Sequence, residues 1–460
     1  MRSPTDRPNI ILINCDDLGY GDVGCYGSTL HATPHLDRMA AEGLRCTDFY
    51  MASPVCSPSR GALMTGCYPP RIGLGCGGDG RAVLFPGDKA GLHPDEVTIA
   101  RLLQEQGYAT QLVGKWHLGD QPEFLPTRHG FDHYYGLPYS NDMGRQAGRE
   151  DRWPPLPLLR DEEVIQAQPD QTGLTERYVE EGVRFLRAHQ DQPFFLYFAH
   201  MHVHLPLYAA PRFIDQSRNG PYGACVEAID WSVGVLFDEL QRLGLDDNTM
   251  VLFTSDNGSR THEGGSNDPL RGMKGTTWEG GMRLPLIARW PGQIPAGSTC
   301  SELTTSMDLL PTLARLAGTT EPQDRLIDGR DITPLLQAKE GATSPHEVFF
   351  YYWQNTLQAI RNERWKLHVR RGRDAEEVSE LYDLHKDVGE TTNLFEQQPE
   401  IVAELQAHAT RARTDLGCEA SAVVGSGCRP RGHVEDPQTL TTYDPEHPYI
   451  IALYDLTEAG

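Results

Sequence analysis

Four short apolar runs punctuate the chain, and each ends in polar residues suited to chemistry. They are NIILIN (9–14) leading into Asp16 and Asp17, ATQLVG (109–114) into Lys-Trp-His, PFFLYFA (193–199) into HMHVH, and TMVLFTS (249–255) into Asp256 and Asn257. Runs of this length, apolar on both faces, predict buried strands of a parallel sheet. Between them, 96–106 (EVTIARLLQEQ) and 226–243 (VEAIDWSVGVLFDELQRL) repeat apolar residues at three-to-four spacing and predict amphipathic helices. Strand–helix alternation predicts an α/β sandwich, in which ligands sit beyond the carboxyl ends of the strands. All four polar clusters fall there.

From about Glu347 the pattern shifts to period two, through VFFYYWQNTLQAIRNERWKLHVRR and ELYDLHKDVGETTNL, predicting antiparallel strands joined by turns. PEIVAELQAHATRARTDL (399–416) then predicts a helix with Ile401, Leu405, Ala409, Ala412 and Leu416 on one face and a proline in its first turn. The expected organisation is an α/β domain over 1–340 and a smaller α+β subdomain over 341–460.

Composition narrows the function. Asp and Glu outnumber Lys and Arg 64 to 41, a formal charge of -23 over 460 residues. Such a surface repels polyanions, so neither nucleic acid nor an anionic membrane is an expected partner, and an anionic substrate would need a local cluster of cations. No apolar run approaches the roughly 20 residues needed to cross a bilayer. The opening MRSPTDRPN has no apolar core of an export signal, so the chain as written is expected to be cytoplasmic unless such a signal has been removed. Ten cysteines without a CxxC pair fit neither a disulfide scaffold nor a zinc ribbon.

Adjacent carboxylates such as Asp16 and Asp17 repel each other unless a cation lies between them. Isolated pairs of this kind are commonly solvated loop acids or helix caps; two at equivalent strand ends point to a hard, oxygen-only site for calcium or magnesium, with Asp256 and the amide oxygen of Asn257. Lys115 and His117 place a cation and an acid/base group on one side of an extended segment, as HMHVH does for His200, His202 and His204. No cysteine or fourth histidine lies at zinc-ligand spacing from these three. Ser140 and Lys274 sit in polar or glycine-rich loops, where such residues are commonly turn-formers and surface charges. CSPSR (56–60) puts Cys56 at or before a helix N-terminus, where negative charge is favoured and a thiolate would be activated. A buried structural thiol is the competing reading.

Taken together, these segments resemble the sulfatase family, and most closely its arylsulfatase A and N-acetylgalactosamine-6-sulfatase branch. CSPSR is similar to the family's C-x-P-x-R signature, and PNIILINCDDLGYGDVGCYG, GKWHLG, HGFDHYYGLPYSND, TSDNG, MKGTTWEGG and ELYDLHKDVGETTNL follow in family order. The resemblance implies an alkaline-phosphatase-like mixed sheet sandwiched by helices, and a sulfuric ester hydrolase acting on sulfated carbohydrates or aryl sulfates. It implies that a formylglycine-generating maturation enzyme oxidises Cys56 to Cα-formylglycine, whose hydrate is the nucleophile. The cation, Ca2+ with Mg2+ as the alternative, would be held by Asp16, Asp17, Asp256, Asn257 and an oxygen of the modified Cys56. Arg60 and Lys115 would hold the formylglycine, while His117, Ser140, His204 and Lys274 would surround the sulfate, with His202 behind them. His204 is preferred among the three histidines because the family places this histidine two residues before a proline, here Pro206. The family is usually exported or lysosomal. Rival readings are a phosphonate monoester or phosphodiester hydrolase of the same fold, and a non-catalytic sulfoglycan-binding protein. The loops around 143–170 and 259–271, which would grip the leaving group, carry no motif.

Overall fold

The structure, a computed structural model, describes residues 7–446 and 453–460. Most of the N-terminal stretch on which the localisation expectation rests lies outside the described residues. No helix among the described residues is long and apolar enough to cross a membrane.

The four apolar runs are strands β1 (Asn9–Cys15), β3 (Ala109–Gly114), β4 (Phe194–Ala199) and β5 (Thr249–Ser255), with β2 being Leu44–Tyr50 and β6 Arg283–Arg289. The large sheet runs in the order β2–β6–β5–β1–β4–β3 and is extended by shorter strands at both edges. β1 pairs in parallel with β4 and β5, and β3 pairs in parallel with β4, as the apolar runs predict. β6 runs antiparallel to both β2 and β5, which makes the sheet mixed.

Because side chains alternate along a strand, β1 feeds two cores. Ile11 and Ile13 pack with helices α3 (Leu174–Ala188) and α4 (Gly220–Arg242). Ile10 and Leu12 pack on the other face with α1 (Cys56–Thr65) and α2 (Ile99–Glu105). Helix α2 starts three residues later than its periodicity suggests, because the Thr98 hydroxyl accepts from the Arg101 amide at 3.1 Å and caps it. Helix α4 starts six residues earlier than predicted, with Pro221 in its first turn, where a fixed φ and a missing N–H carry no penalty.

The C-terminal segment forms an antiparallel sheet in the order β7 (Phe349–Trp353), β8 (Thr356–Arg361), β9 (Trp365–Arg371) and β10 (Glu376–Asp383), with helix α5 (Pro399–Leu416) packed on it. Along α5 it is Val402 that joins Leu405, Ala409, Ala412 and Leu416 in the core, while Ile401 is only partly buried. The core under α5 also takes in Tyr50, Ala52 and Ala62, so it continues into the main sheet and α1.

A fully buried ionic network crosses the same boundary. Glu279, just ahead of β6, accepts from Tyr50 Oη at 2.5 Å, Tyr351 Oη at 2.7 Å and Lys366 Nζ at 2.9 Å. Lys366 also lies 3.0 Å from Glu390, which takes His368 Nε2 at 2.8 Å and the Glu279 backbone N–H at 2.8 Å. Burial alone would raise the Glu279 pKa, but Lys366, Arg361 and Arg283 outweigh it and hold the carboxyl well below its ordinary range. Removing one member strands the others, which typically costs about 3–5 kcal/mol. Lys366→Met is therefore expected to lower the unfolding free energy in urea titrations by about that amount; a change under about 1 kcal/mol would show that the network contributes little.

Candidate active site

Strand ends and the loops after them build the site. Asp16 and Asp17 follow β1, Lys115 follows β3, the histidine segment follows β4, and Asp256 and Asn257 follow β5. Gly114 makes the turn possible: its φ is +110°, and a Cβ there would stand 1.8 Å from the Ala199 carbonyl oxygen. That close approach lets the Lys115 amide donate to Ala199 O at 2.8 Å and turns its side chain toward β1. Cys56 opens α1, with Val55 as N-cap, as the CSPSR pattern predicts.

One oxygen from each of Asp16, Asp17 and Asp256 lies within 4.8 Å of the others, all three residues being buried. The cations interleave with them. Lys115 Nζ is 2.5 Å from Asp16 Oδ2 and 2.7 Å from Ser140 Oγ. Arg60 places Nε and Nη2 each 2.8 Å from Asp256 Oδ2, and donates to the Lys115 carbonyl at 2.9 Å. Lys274 Nζ is 2.9 Å from Asp17 Oδ2, whose other oxygen accepts from Asn257 Nδ2 at 2.7 Å.

Burial and these partners set the charges. Asp17 is driven upward by burial but held well below its ordinary range by Lys274, then His204 and Asn257. Asp256 is pushed up to about 6 by burial and Asp16, against Arg60 and Lys115. The Cys56 thiol is pushed up to about 11 by burial, despite Lys115 and Lys274, so it is protonated at neutral pH and does not act as the activated thiolate that a helix start alone suggests.

His117 and His204 are committed at one nitrogen each. His117 Nε2 faces the Leu84 carbonyl at 2.9 Å, leaving a buried Nδ1 without a partner. His204 Nδ1 faces the Leu205 carbonyl at 2.6 Å and Asn141 Oδ1 at 3.2 Å, which leaves Nε2 for the cavity. Burial, then Lys115, lowers His117 well below the usual imidazole range; burial, then Lys274, lowers His204 to about 4. The expected common face of the three histidines does not form, because the chain leaves the strand after Ala199 and turns. His200 points to Ser232 Oγ of α4 at 2.9 Å, and His202 is buried with its backbone oxygen accepting from the Asp16 amide at 2.8 Å. His117, with φ +63°, likewise breaks the extended geometry assumed for Lys115 and His117.

The residues fit a hard divalent cation. Asp16 Oδ1 and Asn257 Oδ1 are buried with no hydrogen-bond partner, and three carboxylates with one amide oxygen suit calcium or magnesium.

A cavity of about 440 Å³ opens above this cluster, lined at its base by Cys56, Ser140, His204 and Lys274. Sequence reasoning missed Asn141, which fixes His204, although it directly follows Ser140 in LPYSND. It also missed the cavity wall: Asp142, Trp153 and Arg260 come from the loops without a motif or beside them, and Trp353 and Arg373 from the C-terminal sheet. Gly460 packs so close to the His204 ring that a Cβ there would overlap it.

This arrangement of buried acids, interleaved cations and a Cys56 at a helix start accompanies a family match across most of the chain. The sulfatase family model matches residues 8–319. The chain belongs to the sulfatase family. A second model, described as N-sulphoglucosamine sulphohydrolase, C-terminal, matches residues 273–415. The chain is 41% identical over 431 residues to arylsulfatase A of Homo sapiens, covering 84% of this chain and 83% of that one. It is 43% identical over 378 residues to N-acetylgalactosamine-6-sulfatase of Canis lupus familiaris, covering 78% and 71%. Among solved structures, Ps i-CgsB in complex with k-i-k-neocarrahexaose superposes with a TM-score of 0.78 at 31% identity, covering 88% of this sulfatase and 92% of that chain.

Asp17→Ala and Asp256→Ala are each expected to release a cation that wild type retains through dialysis, measured by elemental analysis. Stoichiometric zinc in an active wild-type sample would contradict the oxygen-donor assignment.

Proposed function

We propose that this sulfatase hydrolyses sulfate monoesters of carbohydrates or aryl alcohols through a formylglycine at position 56. What supports the reading most is the gathering of three cations around Cys56, Lys274 beside it at the base of one cavity and Lys115 and Arg60 buried behind it. They match the three carboxylates one for one, so a bound divalent cation would leave the site positive in a chain of net charge -23. A sulfate ester is an anion, and its attack by oxygen needs fixed positive donors on the sulfuryl oxygens. The likeness to a k-i-k-neocarrahexaose complex and to an N-acetylgalactosamine-6-sulfatase favours a sugar leaving group. The proposed working units are an α/β catalytic domain over 1–340 and an α+β subdomain over 341–460.

Asp16, Asp17, Asp256 and Asn257 would hold the divalent cation, with Ca2+ favoured over Mg2+ by four protein oxygens in one site. Bound there, the cation would draw charge from the reacting oxygens. Cys56, oxidised by a dedicated maturation enzyme, would supply the nucleophile as an aldehyde hydrate. Arg60 orients Asp256 through paired contacts and ties it to the Lys115 carbonyl. Lys115 bridges Asp16 to Ser140, keeping a positive charge beside the reacting group.

Lys274 retains its ammonium: burial opposes the charge, but Asp17 and Cys56 raise its pKa above the ordinary lysine value. It is therefore the proton source for a leaving alcohol, and His204, whose Nδ1 faces two acceptor oxygens, presents a bare Nε2 that can take the Lys274 proton and pass it to that alcohol. His117, its Nε2 proton given to Leu84, presents Nδ1 as the acceptor for the proton released when sulfate is expelled. His202 supports the acid cluster from behind through its backbone.

Two outcomes test this reading. Peptide mass spectrometry of protein co-produced with a maturation enzyme should find formylglycine at position 56, and Cys56→Ala should abolish turnover; only free thiol in a highly active preparation would refute it. Fully modified protein without turnover would instead favour a binding protein, and faster cleavage of matched phosphate diesters or phosphonates would favour the hydrolase alternative.

The second outcome concerns the leaving group. A sugar alkoxide needs protonation to depart, whereas nitrophenolate does not, and general acid catalysis contributes roughly 10² to 10⁴ in rate. His204→Ala and Lys274→Ala should therefore slow hydrolysis of sugar sulfates far more than that of 4-nitrophenyl sulfate. Changing Arg60 or Lys115 should slow both substrates alike. Equal losses on both substrates for all four variants, measured in the chemical step, would assign His204 and Lys274 to sulfate binding alone.

A further inference from the structure

The cavity is larger than a sulfuryl group needs; about 440 Å³ lies within the range of roughly 300–1,000 Å³ that takes a drug-sized ligand. Its outer wall carries four arginines from four separate segments: Arg81, Arg152, Arg260 and Arg373. Of these, Arg81 is paired with its near neighbour Asp79, and Arg260 donates to the Ala459 carbonyl at 3.2 Å. Arg152 and Arg373 make no ion pair among the described residues and are solvent-exposed. The one acidic side chain of the described lining is Asp142, which accepts from the Gly460 amide at 3.2 Å.

Three of the four, Arg81, Arg152 and Arg373, have an aromatic neighbour. Arg81 lies over the Phe85 ring at 3.7 Å, and Phe85 stacks on Trp153 with centroids 5.1 Å apart and planes at 14°. The Arg152 guanidinium is 5.2 Å from the Trp153 ring, and that of Arg373 is 5.9 Å from the Trp353 ring. Aromatic faces suit the apolar face of a sugar, and guanidinium forks suit planar or tetrahedral oxyanions. A neutral leaving group would leave Arg152 and Arg373 without a partner. Sulfate recognition at the base already has its own cations, so the wall charges are available to a different anion.

We propose that this wall is a subsite for a second anionic group, a sulfate or a uronate carboxylate, on the saccharide whose scissile sulfate sits at Cys56, with Arg152 and Arg373 as its main contacts. The inference rests on the sulfatase reading above, and it makes the preferred substrate a multiply charged oligosaccharide.

The test compares Arg152→Ala and Arg373→Ala with wild type on four substrates: 4-nitrophenyl sulfate, a monosulfated neutral disaccharide, its disulfated analogue, and a monosulfated disaccharide containing a uronate. For the disulfated or the uronate substrate, or both, kcat/KM should fall about tenfold, the scale of one charge-assisted hydrogen bond, through KM rather than kcat. For the other two substrates it should stay within about twofold. Whichever charged substrate loses more identifies the anion that the arginines read. Equal losses on all four substrates, or no loss on either charged one, would overturn the subsite. Calorimetric binding of the disulfated disaccharide to Cys56→Ala is the independent arm: adding Arg152→Ala should weaken it about tenfold. Failure of wild type to cleave any sulfate ester would refute the sulfatase reading alone, and unchanged affinity in the binding arm would then refute the subsite.

Discussion

Three carboxylates buried within 4.8 Å of one another are the constraint that the rest of the site answers. Taken out of water, Asp16, Asp17 and Asp256 cannot all remain ionised unless positive charge is held against them. The protein meets this with one cation per acid, each from a different segment: Lys115 on Asp16, Lys274 on Asp17 and Arg60 on Asp256. The unpartnered oxygens of Asp16 and Asn257 are free to take a divalent ion, which would leave the cluster net positive. In the proposed reading Lys274, at the cavity base, both offsets Asp17 and meets the sulfate, so folding and substrate recognition share a charge.

That arrangement depends on strand ends being held in register. The parallel pairing of β1 with β4 and β5 brings Asp16 beside Asp256 and beside the turn that carries His204. Helix α1 delivers Cys56 and, one turn on, Arg60, so a single element fixes both the proposed site of modification and the guanidinium that contacts Asp256. Lys274 is tethered differently. Its loop ends at Glu279, whose buried contacts to Tyr50, Tyr351 and Lys366 anchor it to β2 and to the C-terminal sheet. The C-terminal sheet thereby does two jobs, stiffening the lysine loop and adding Trp353 and Arg373 to the cavity wall.

Much of this was legible in the chain. The four apolar runs carry strand character on both faces, so their identity as buried parallel strands and the position of Asp16, Asp17, Lys115, Asp256 and Asn257 at their ends followed from local pattern alone. Cys56 at the first position of α1 followed from CSPSR, because a proline is tolerated only in a helix's first turn. The histidine segment was less legible. Alternation put His200, His202 and His204 on one face only while the chain stayed extended, and the turn after Ala199 sends His200 to α4 and His204 to Asn141.

The sequence by itself determined which groups carry charge, which lie at strand ends and which signature surrounds Cys56, since these depend on residue type and short-range periodicity. Tertiary structure alone decided how the charges pair, because each acid–cation contact joins segments far apart in the chain, 99 residues for Lys115 with Asp16 and 257 for Lys274 with Asp17. It also decided the protonation of Cys56, where burial outweighs the cations and the helix start. The cavity wall was settled the same way: Arg152, Arg260 and Arg373 have no local pattern to mark them, and only the packing of loops and the C-terminal sheet over the strand ends brings them around one substrate-sized space.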